Sequence, residues 1–382
     1  MAIINWYSSL SRKQVIQMYG TILIMLLIVL IGILVDRNSR PVQDKSYTID
    51  MTIKEIAPDL NVTIKALAQE LALPVPLKGS GEKPLKELGV SQDKLNEVVE
   101  HLLSHSGAML KYFIFAALSL GGLVFMVKLG RPELSGSEDK KSWYPRTPYL
   151  VLLIISLVFA GFYMGKSPNP MEGVVKVFKS LAGLYPDPWI KLTAFIFFMV
   201  LALIGNKLIC GWACPYGALQ ELIYSIPLLK RAKKNLKFPF IITNTIRTGI
   251  FLLAILILFG ILGNKQGFVL YHNMNPFNLF DLKFESIWII ITIVVTLGAA
   301  FVFYRPFCRF ICPFGLLSWP LERISMFRVR VDKEKCTGCG ACITACPLDA
   351  AKGIVLGNKM PEDCFSCSRC LNKCPVDAIR YK

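Results

Sequence analysis

The feature that most constrains this chain is the cysteine spacing near its C-terminus. Cys336, Cys339, Cys342 and Cys346-Pro347 are answered by Cys364, Cys367, Cys370 and Cys374-Pro375, each quartet reading C-x2-C-x2-C-x3-C-P. That spacing wraps a short loop around one corner of an iron–sulfur cube and lends its fourth thiolate to a second cube. A crossed assignment follows. Cys336, Cys339, Cys342 and Cys374 are expected to hold one [4Fe–4S] cluster, and Cys364, Cys367, Cys370 and Cys346 the other. Zinc ribbons also use paired C-x2-C, but zinc takes four ligands and would leave the third close cysteine and the C-P ending surplus. A disulfide framework belongs to small secreted chains. Here all 12 cysteines of a 382-residue chain fall in four short motifs, with none left over.

Over residues 331–382 the pattern resembles bacterial-type two-cluster ferredoxins, which implies a small α+β domain on the cytoplasmic side. The chain in front of it has another character. A hydrophobic share of 54% points to a membrane. Six apolar stretches, near 17–35, 109–127, 149–165, 190–206, 248–264 and 286–304, approach the length needed to cross about 30 Å of hydrocarbon as helices. The first lacks a small-residue cleavage signature, so it reads as a retained anchor.

The net charge of +17 would suit nucleic acid, but its distribution favours a membrane. Lys and Arg number five in 128–148, seven in 207–247 and seven between Arg305 and Lys335, against three in 166–189 and two in 265–285. By the excess of positive charge on cytoplasmic loops, both ends face the cytoplasm of a bacterial inner membrane. Residues 36–108, on the outer side, carry nine Lys/Arg against eleven Asp/Glu. They read as a helical docking or spacer module, with Ser91 as an N-cap. Its first two helices resemble a helix-turn-helix, yet it lacks the basic excess that phosphate contacts need, so nucleic acid is not an expected partner.

The expected fold is therefore an α-helical polytopic membrane protein of about six spans, ending in a cytoplasmic α+β two-cluster ferredoxin domain. Its divisions are an anchor (1–35), the outer module (36–108), a second span with its loop (109–148), a four-span core (149–330) and the ferredoxin domain (331–382). The core contains an internal repeat. Two helical hairpins each end in C-x3-C-P-aromatic-Gly, as Cys210-Gly-Trp-Ala-Cys214-Pro215-Tyr216-Gly217 and as Cys308-Arg-Phe-Ile-Cys312-Pro313-Phe314-Gly315. The outer loops echo each other too, in Asn169-Pro170-Met171 and Asn275-Pro276-Phe277.

Residues four apart share a helix face. Each proline moves the second cysteine out of helical geometry and suits the first turn of a new helix. The motifs thus mark corners at the cytoplasmic surface, where Cys210, Cys214, Cys308 and Cys312 come together. The following segments, 216–234 and 314–327, are expected to lie at anionic headgroups. Three chemistries remain open for this quartet: a further iron–sulfur centre, a soft metal ion such as copper, or a dithiol/disulfide pair. Inert buried cysteines would not require the same five-residue spacing twice.

With the paired C-x3-C-P motifs and the ferredoxin quartets in view, residues 145–382 resemble the NapH-type membrane polyferredoxins, with the NosR and CcoG groups as relatives. The resemblance implies electron transfer between the quinol pool and a partner redox protein, often a periplasmic reductase system. The CcoG-like group implies copper reduction during assembly, and a redox-sensing regulator is a third reading. Residues 1–130 exceed the short NapH-like form, and nothing in them resembles a flavin-attachment region. Of the three histidines, His101 and His105 stand four apart on a helix, and His272 near Asn275-Pro276 could take a proton from quinol. No dinucleotide or P-loop motif is present.

Overall fold

The computed structural model describes residues 46–60, 62, 64–71, 73, 80–103, 107–129, 147–184, 189–226, 237–262, 268–282, 284, 286–358 and 362–382. The expected first span, His105, and the basic segments 130–146 and 227–236 lie outside them.

Residues 47–98 close around a core of their own that includes Ile53, Ile56, Leu67, Leu85 and Leu95. Helix α1 (Ile53–Asp59) starts with a capping box. Thr52 accepts from the Glu55 N–H, and the Glu55 carboxylate accepts from the Thr52 N–H at 2.8 Å, so two orphan donors are satisfied reciprocally. Helix α2 (Ile64–Glu70) packs on α1, and α3 (Gln92–Leu103) ends the module. Ser91 accepts from the Lys94 N–H at 3.3 Å, the cap expected for α3.

The helical core follows in order. It comprises α4 (Gly107–Leu129), α5 (Thr147–Ile155, prolonged by the π-helical stretch Ser156–Tyr163), α6 (Pro170–Leu181), α7 (Trp189–Gly205), α8 (Pro215–Ser225), α9 (Phe240–Leu258), α10 (Leu270–Asn273), α11 (Ile287–Ala300), α12 (Pro306–Phe310) and α13 (Pro313–Ser318). Two helical stretches, Leu110–Leu129 of 20 residues and Phe240–Leu258 of 19, are long and apolar enough to cross a membrane. The stretches Thr147–Tyr163, Leu192–Gly205 and Ile287–Ala300 are apolar but shorter.

Three expectations need correction. Helix α9 begins at Phe240 rather than near 248. Asn244 and Arg247 interrupt the apolar window of the sequence, but in the fold Arg247 is fully buried against an acid from another domain. Segment 216–234 does not lie flat at a surface in its described part. Helix α8 buries Tyr216, Ala218, Gln220, Glu221 and Tyr224 among α5, its π-helical extension and α11. The third concerns 314–327, which is broken into α13 and a short 3-10 turn at Pro320–Arg323.

The connections that carry the echoed Asn-Pro pairs turn back toward the cysteines. Asn169 caps α6, its side chain accepting from Glu172 N–H at 2.9 Å, with Pro170 at the first helical position. Asn275 likewise caps a 3-10 turn, Pro276–Phe280. The echoed Asn-Pro pairs therefore start two inward-pointing elements.

The C-terminal domain is small. Strand β1 (Val329–Val331) precedes α14 (Ala341–Ala345), α15 (Ala350–Leu356) and α16 (Arg369–Lys373), and β2 (Ile379–Tyr381) returns antiparallel to β1 with Val329 opposite Tyr381 and Val331 opposite Ile379.

Gly122 of α4 is a site of close helix packing. A Cβ there would fall 2.6 Å from the Trp212 ring, whereas Gly249 of α9 has nothing within 4 Å. We expect Gly122→Ala to destabilise the detergent-solubilised protein by about 1–3 kcal/mol, read as a lower thermal midpoint. Gly249→Ala should not lower it.

Candidate functional site

The twelve cysteines line three separate cavities. The first holds Cys336, Cys339, Cys342 and Cys374. The second holds Cys346, Cys364, Cys367 and Cys370. The third holds Cys210, Cys214, Cys308 and Cys312. Each quartet named from the sequence is thus brought to one place.

The two ferredoxin quartets are built on one backbone path. Gly338 and Gly340 take φ of 71° and 69°, and the matching positions Ser366 and Ser368 take 51° and 65°. Left-handed geometry costs a serine roughly 1–2 kcal/mol that glycine avoids. Ser366 has a compensating use. Its hydroxyl donates to the carbonyls of Gly205 at 3.2 Å and Asn206 at 3.1 Å, tying the second quartet's loop to the end of α7. Burial pushes the Cys346 thiol up to about 11 and Cys364 and Cys370 well above the ordinary thiol range. These sulfurs become thiolates only when a cation supplies the charge.

The third cavity shows how the repeat works. Cys210 sits in a π-helical turn, Ile209–Ala213, and Cys308 in α12. Neither lies on the apolar helix before it, because left-handed residues intervene: Asn206 and Lys207 in one half, Arg305 in the other. Lys207 and Arg305 both stand three residues before the first cysteine of their motif. The second cysteines, Cys214 and Cys312, are extended (ψ 116° in both) and precede Pro215 and Pro313 at the first turns of α8 and α13, as the Pro spacing predicts. Each motif then receives a buried arginine at the carbonyl of its first cysteine, from across the repeat in one case and from its own half in the other. Arg305 donates to the Cys210 carbonyl, and Arg247 to the Cys308 carbonyl at 3.2 Å. A Cβ on Gly217 would meet the Arg305 guanidinium and the Cys210 carbonyl at 2.8 Å. One on Gly315 would meet Arg247 at 3.0 Å and the Cys308 carbonyl at 2.7 Å. The aromatic-Gly ending of the motif is explained by that approach. Gln220 crosses between the halves, accepting from the Phe307 N–H at 2.9 Å and donating to Cys308 Sγ at 3.5 Å.

Apart from its thiols the third cavity is walled by apolar groups, among them Pro170, Met171 and Phe277 from the two inward-turning connections and Phe365 from the ferredoxin domain. Phe365 also lines the second cavity. It is held by cations, Lys207 Nζ 5.4 Å and the Arg305 guanidinium 5.3 Å from its ring. The Phe365 carbonyl lies against Gly211, where no Cβ could fit. Trp212 Nε1 donates to the Ser366 carbonyl at 3.0 Å.

A buried ionic clamp surrounds this contact. Lys207 pairs with Asp363 and, at 2.7 Å, with Glu322. Arg247 reaches Asp363 at 3.1 Å, Arg305 reaches Glu221 at 3.1 Å, and Arg369 reaches Glu221 at 2.6 Å. Burial alone would raise Asp363, but Lys207 and Arg247 outweigh it and hold its carboxyl below the usual range. Burial pushes Glu322 up against the pull of Lys207.

Sequence reasoning missed the clamp. Its one available signal was the matching position of Lys207 and Arg305 in the repeat. Met171 and Phe277 were marked by the echoed Asn-Pro motifs, whereas Gln220 and Phe365 carried no such signal. His272 is half-buried in α10 and does not line the cysteine cavity. His101 falls at the end of α3, away from the quartets in sequence.

An all-thiol donor set on repeated motifs, beside a two-quartet α+β domain, defines the class as iron–sulfur proteins of the ferredoxin type. A family model described as "4Fe-4S binding domain" matches residues 188–235 and 286–332, the two C-x3-C-P halves, and a second of the same description matches 329–352. The ferredoxin-type protein NapH of Haemophilus influenzae is 24% identical over 244 residues, covering 56% of this chain and 81% of its own length. The methylamine utilization ferredoxin-type protein MauN of Methylobacillus flagellatus is 29% identical over 180 residues, 44% of this chain and 60% of its own. The putative electron transport protein YccM of Escherichia coli is 27% identical over 157 residues, 39% of this chain and 44% of its own. The chain thus spans less than two thirds of MauN and YccM. No solved structure matches it. The chain is thus similar to ferredoxin-type proteins, NapH among them, and its matched segments are 4Fe-4S binding domains.

Removing Asp363 takes from the buried Arg247 its acid and from Lys207 one of two, at about 3–5 kcal/mol. Asp363→Ala should therefore loosen the ferredoxin domain. We expect faster proteolysis after residue 330 in the variant, and equal rates would contradict the clamp's role.

Proposed function

We propose that this protein is embedded in the bacterial inner membrane and passes electrons between the quinol pool and a partner redox protein. In this reading Cys336, Cys339, Cys342 and Cys374 hold one [4Fe–4S] cluster, and Cys346, Cys364, Cys367 and Cys370 a second. Cys210, Cys214, Cys308 and Cys312 hold a third. When bound, such clusters supply one-electron steps. A quinol oxidised to quinone yields two electrons and two protons, so the electrons leave singly while the protons pass to solvent.

One observation carries the reading: four cysteines from the two repeat halves line a single cavity that shares a wall residue, Phe365, with the second ferredoxin cavity. Its donor set and dry walls suit a cluster. From the third cavity, Phe365 leads to the second. Helices α14 and α16 then join the second to the first, carrying Cys342 and Cys370 near one end and running into Cys346 and Cys374 at the other. Cys339 is exposed, so the first cavity is the one that offers a thiol to a partner.

Membrane insertion is supported by the apolar residues that α9 and α11 leave outside, including Ile241, Leu252, Ile287, Val294 and Val295, a surface too large and apolar for water. The six-span topology, with both termini cytoplasmic and residues 36–108 outside, rests on the charge asymmetry of the loops. The ferredoxin tail from Cys336 carries six Lys/Arg against four Asp/Glu and so suits an acidic partner or the anionic leaflet. A periplasmic reductase system is the kind of terminal acceptor this arrangement would serve.

Iron content after anaerobic purification tests the third cluster. Three cubes require about twelve iron per chain, falling to about eight when Cys210, Cys214, Cys308 and Cys312 become Ser. About eight in both proteins would refute it. Gln220→Leu removes the one side-chain N–H that reaches Cys308. It should lower the midpoint potential of the membrane centre by about 40 mV, the worth of one ordinary hydrogen bond, as measured in a redox titration.

A further inference from the structure

A fourth cavity lies one helix turn from the cysteines. Helix α6 sends Met171 into the third cysteine cavity and Val174 into this one. Its walls come from α6, α9 and α10 and are apolar throughout: Val174 and Phe178, Phe251 and Ala254, Leu270. Phe178 and Phe251 meet edge to face at 5.4 Å. One wall residue breaks the pattern. Tyr271 is 4% exposed, and its hydroxyl has no hydrogen-bond partner among the described residues. It lies within electrostatic range of Cys312 and Arg247.

A buried hydroxyl without a partner costs about 1–3 kcal/mol, and native structures seldom leave one so. Water is a poor remedy, because an ordered water needs two to four polar partners and this cleft supplies one. A lipid acyl chain fits the walls but brings no polar atom. The requirement is a ligand with an apolar body and a single polar atom at its leading edge. We propose that this cleft seats the head ring of a lipid-soluble quinol, one ring oxygen bonded to the Tyr271 hydroxyl and the tail leaving along α9 toward lipid. The proposal rests on the reading of the protein as a quinol-linked electron carrier and locates that contact. It makes Tyr271 a binding residue and places the ring beside the cysteine quartet, on the side away from the ferredoxin domain.

The test uses the full chain in lipid nanodiscs and a photoreactive azido-quinone, with labelled peptides mapped by mass spectrometry. Labelling is expected on peptides of α6, α9 and α10. It should weaken about tenfold in Tyr271→Phe, the loss of one hydrogen bond, and vanish in Ala254→Trp, which fills the cleft. Unchanged iron content in both variants would show that the fold survives. Labelling that ignores both substitutions, or that excess phospholipid displaces as readily as quinone does, overturns the proposal and makes the cleft a lipid seat. Quinol reduction of the wild-type clusters separates the two claims. Reduction without labelling here would refute this site and leave the function standing. Tyr271-dependent labelling without reduction would do the reverse.

Discussion

The structure depends on a set of buried ion pairs at the join between the helical core and the ferredoxin domain. Lys207, Arg247, Arg305 and Arg369 meet Asp363, Glu322 and Glu221 with almost no solvent access. Such pairs add little net stability over apolar packing, because each charge must first lose its water. Their effect is on geometry. An Asp363 that must meet both Lys207 and Arg247 admits few placements of the loop that follows it. That loop carries Cys364, Phe365, Ser366 and Cys367. Serines in left-handed geometry, a carbonyl pressed on Gly211 and a ring shared by two cavities are all held by the same constraint.

The internal repeat makes the arrangement possible. Each C-x3-C-P motif needs a donor to the carbonyl of its first cysteine and a glycine where that donor passes. Arg305 with Gly217 and Arg247 with Gly315 fill these places in near-symmetric fashion. The two halves differ in the contacts they make around the shared cavity. Gly211 and Trp212 of the first motif contact the Phe365 loop, while the second motif receives Gln220 from the first. A duplicated helical element has thus acquired one face toward the ferredoxin domain.

Much of this was legible in the sequence. The cysteine quartets and the C-P corners follow from spacing alone, because a metal site and a proline each impose local geometry. Ser91 was readable as a cap for the same reason. The apolar stretches were found, but the start of α9 was misplaced because hydropathy treats Arg247 as a stop, and only the fold supplies the Asp363 that allows its burial. The burial of α8 was hidden for a similar reason: Gln220 and Glu221 look like a polar face until Phe307, Arg305 and Arg369 are seen to meet them. The inward turn of the Asn-Pro connections rests on long-range packing that no local pattern records, although the doubled Asn-Pro was a hint. Tyr271 resembles any interfacial tyrosine until its hydroxyl is found buried without a partner.

The claim on which the account turns is that the membrane quartet holds a cluster of the same kind as the ferredoxin quartets. An experimental density map of protein prepared without oxygen tests it most directly. The account predicts a compact density in the third cavity, bonded to Cys210, Cys214, Cys308 and Cys312, with Phe365 between it and the next cluster. A void, a disulfide or a single ion held by two of those sulfurs would contradict it.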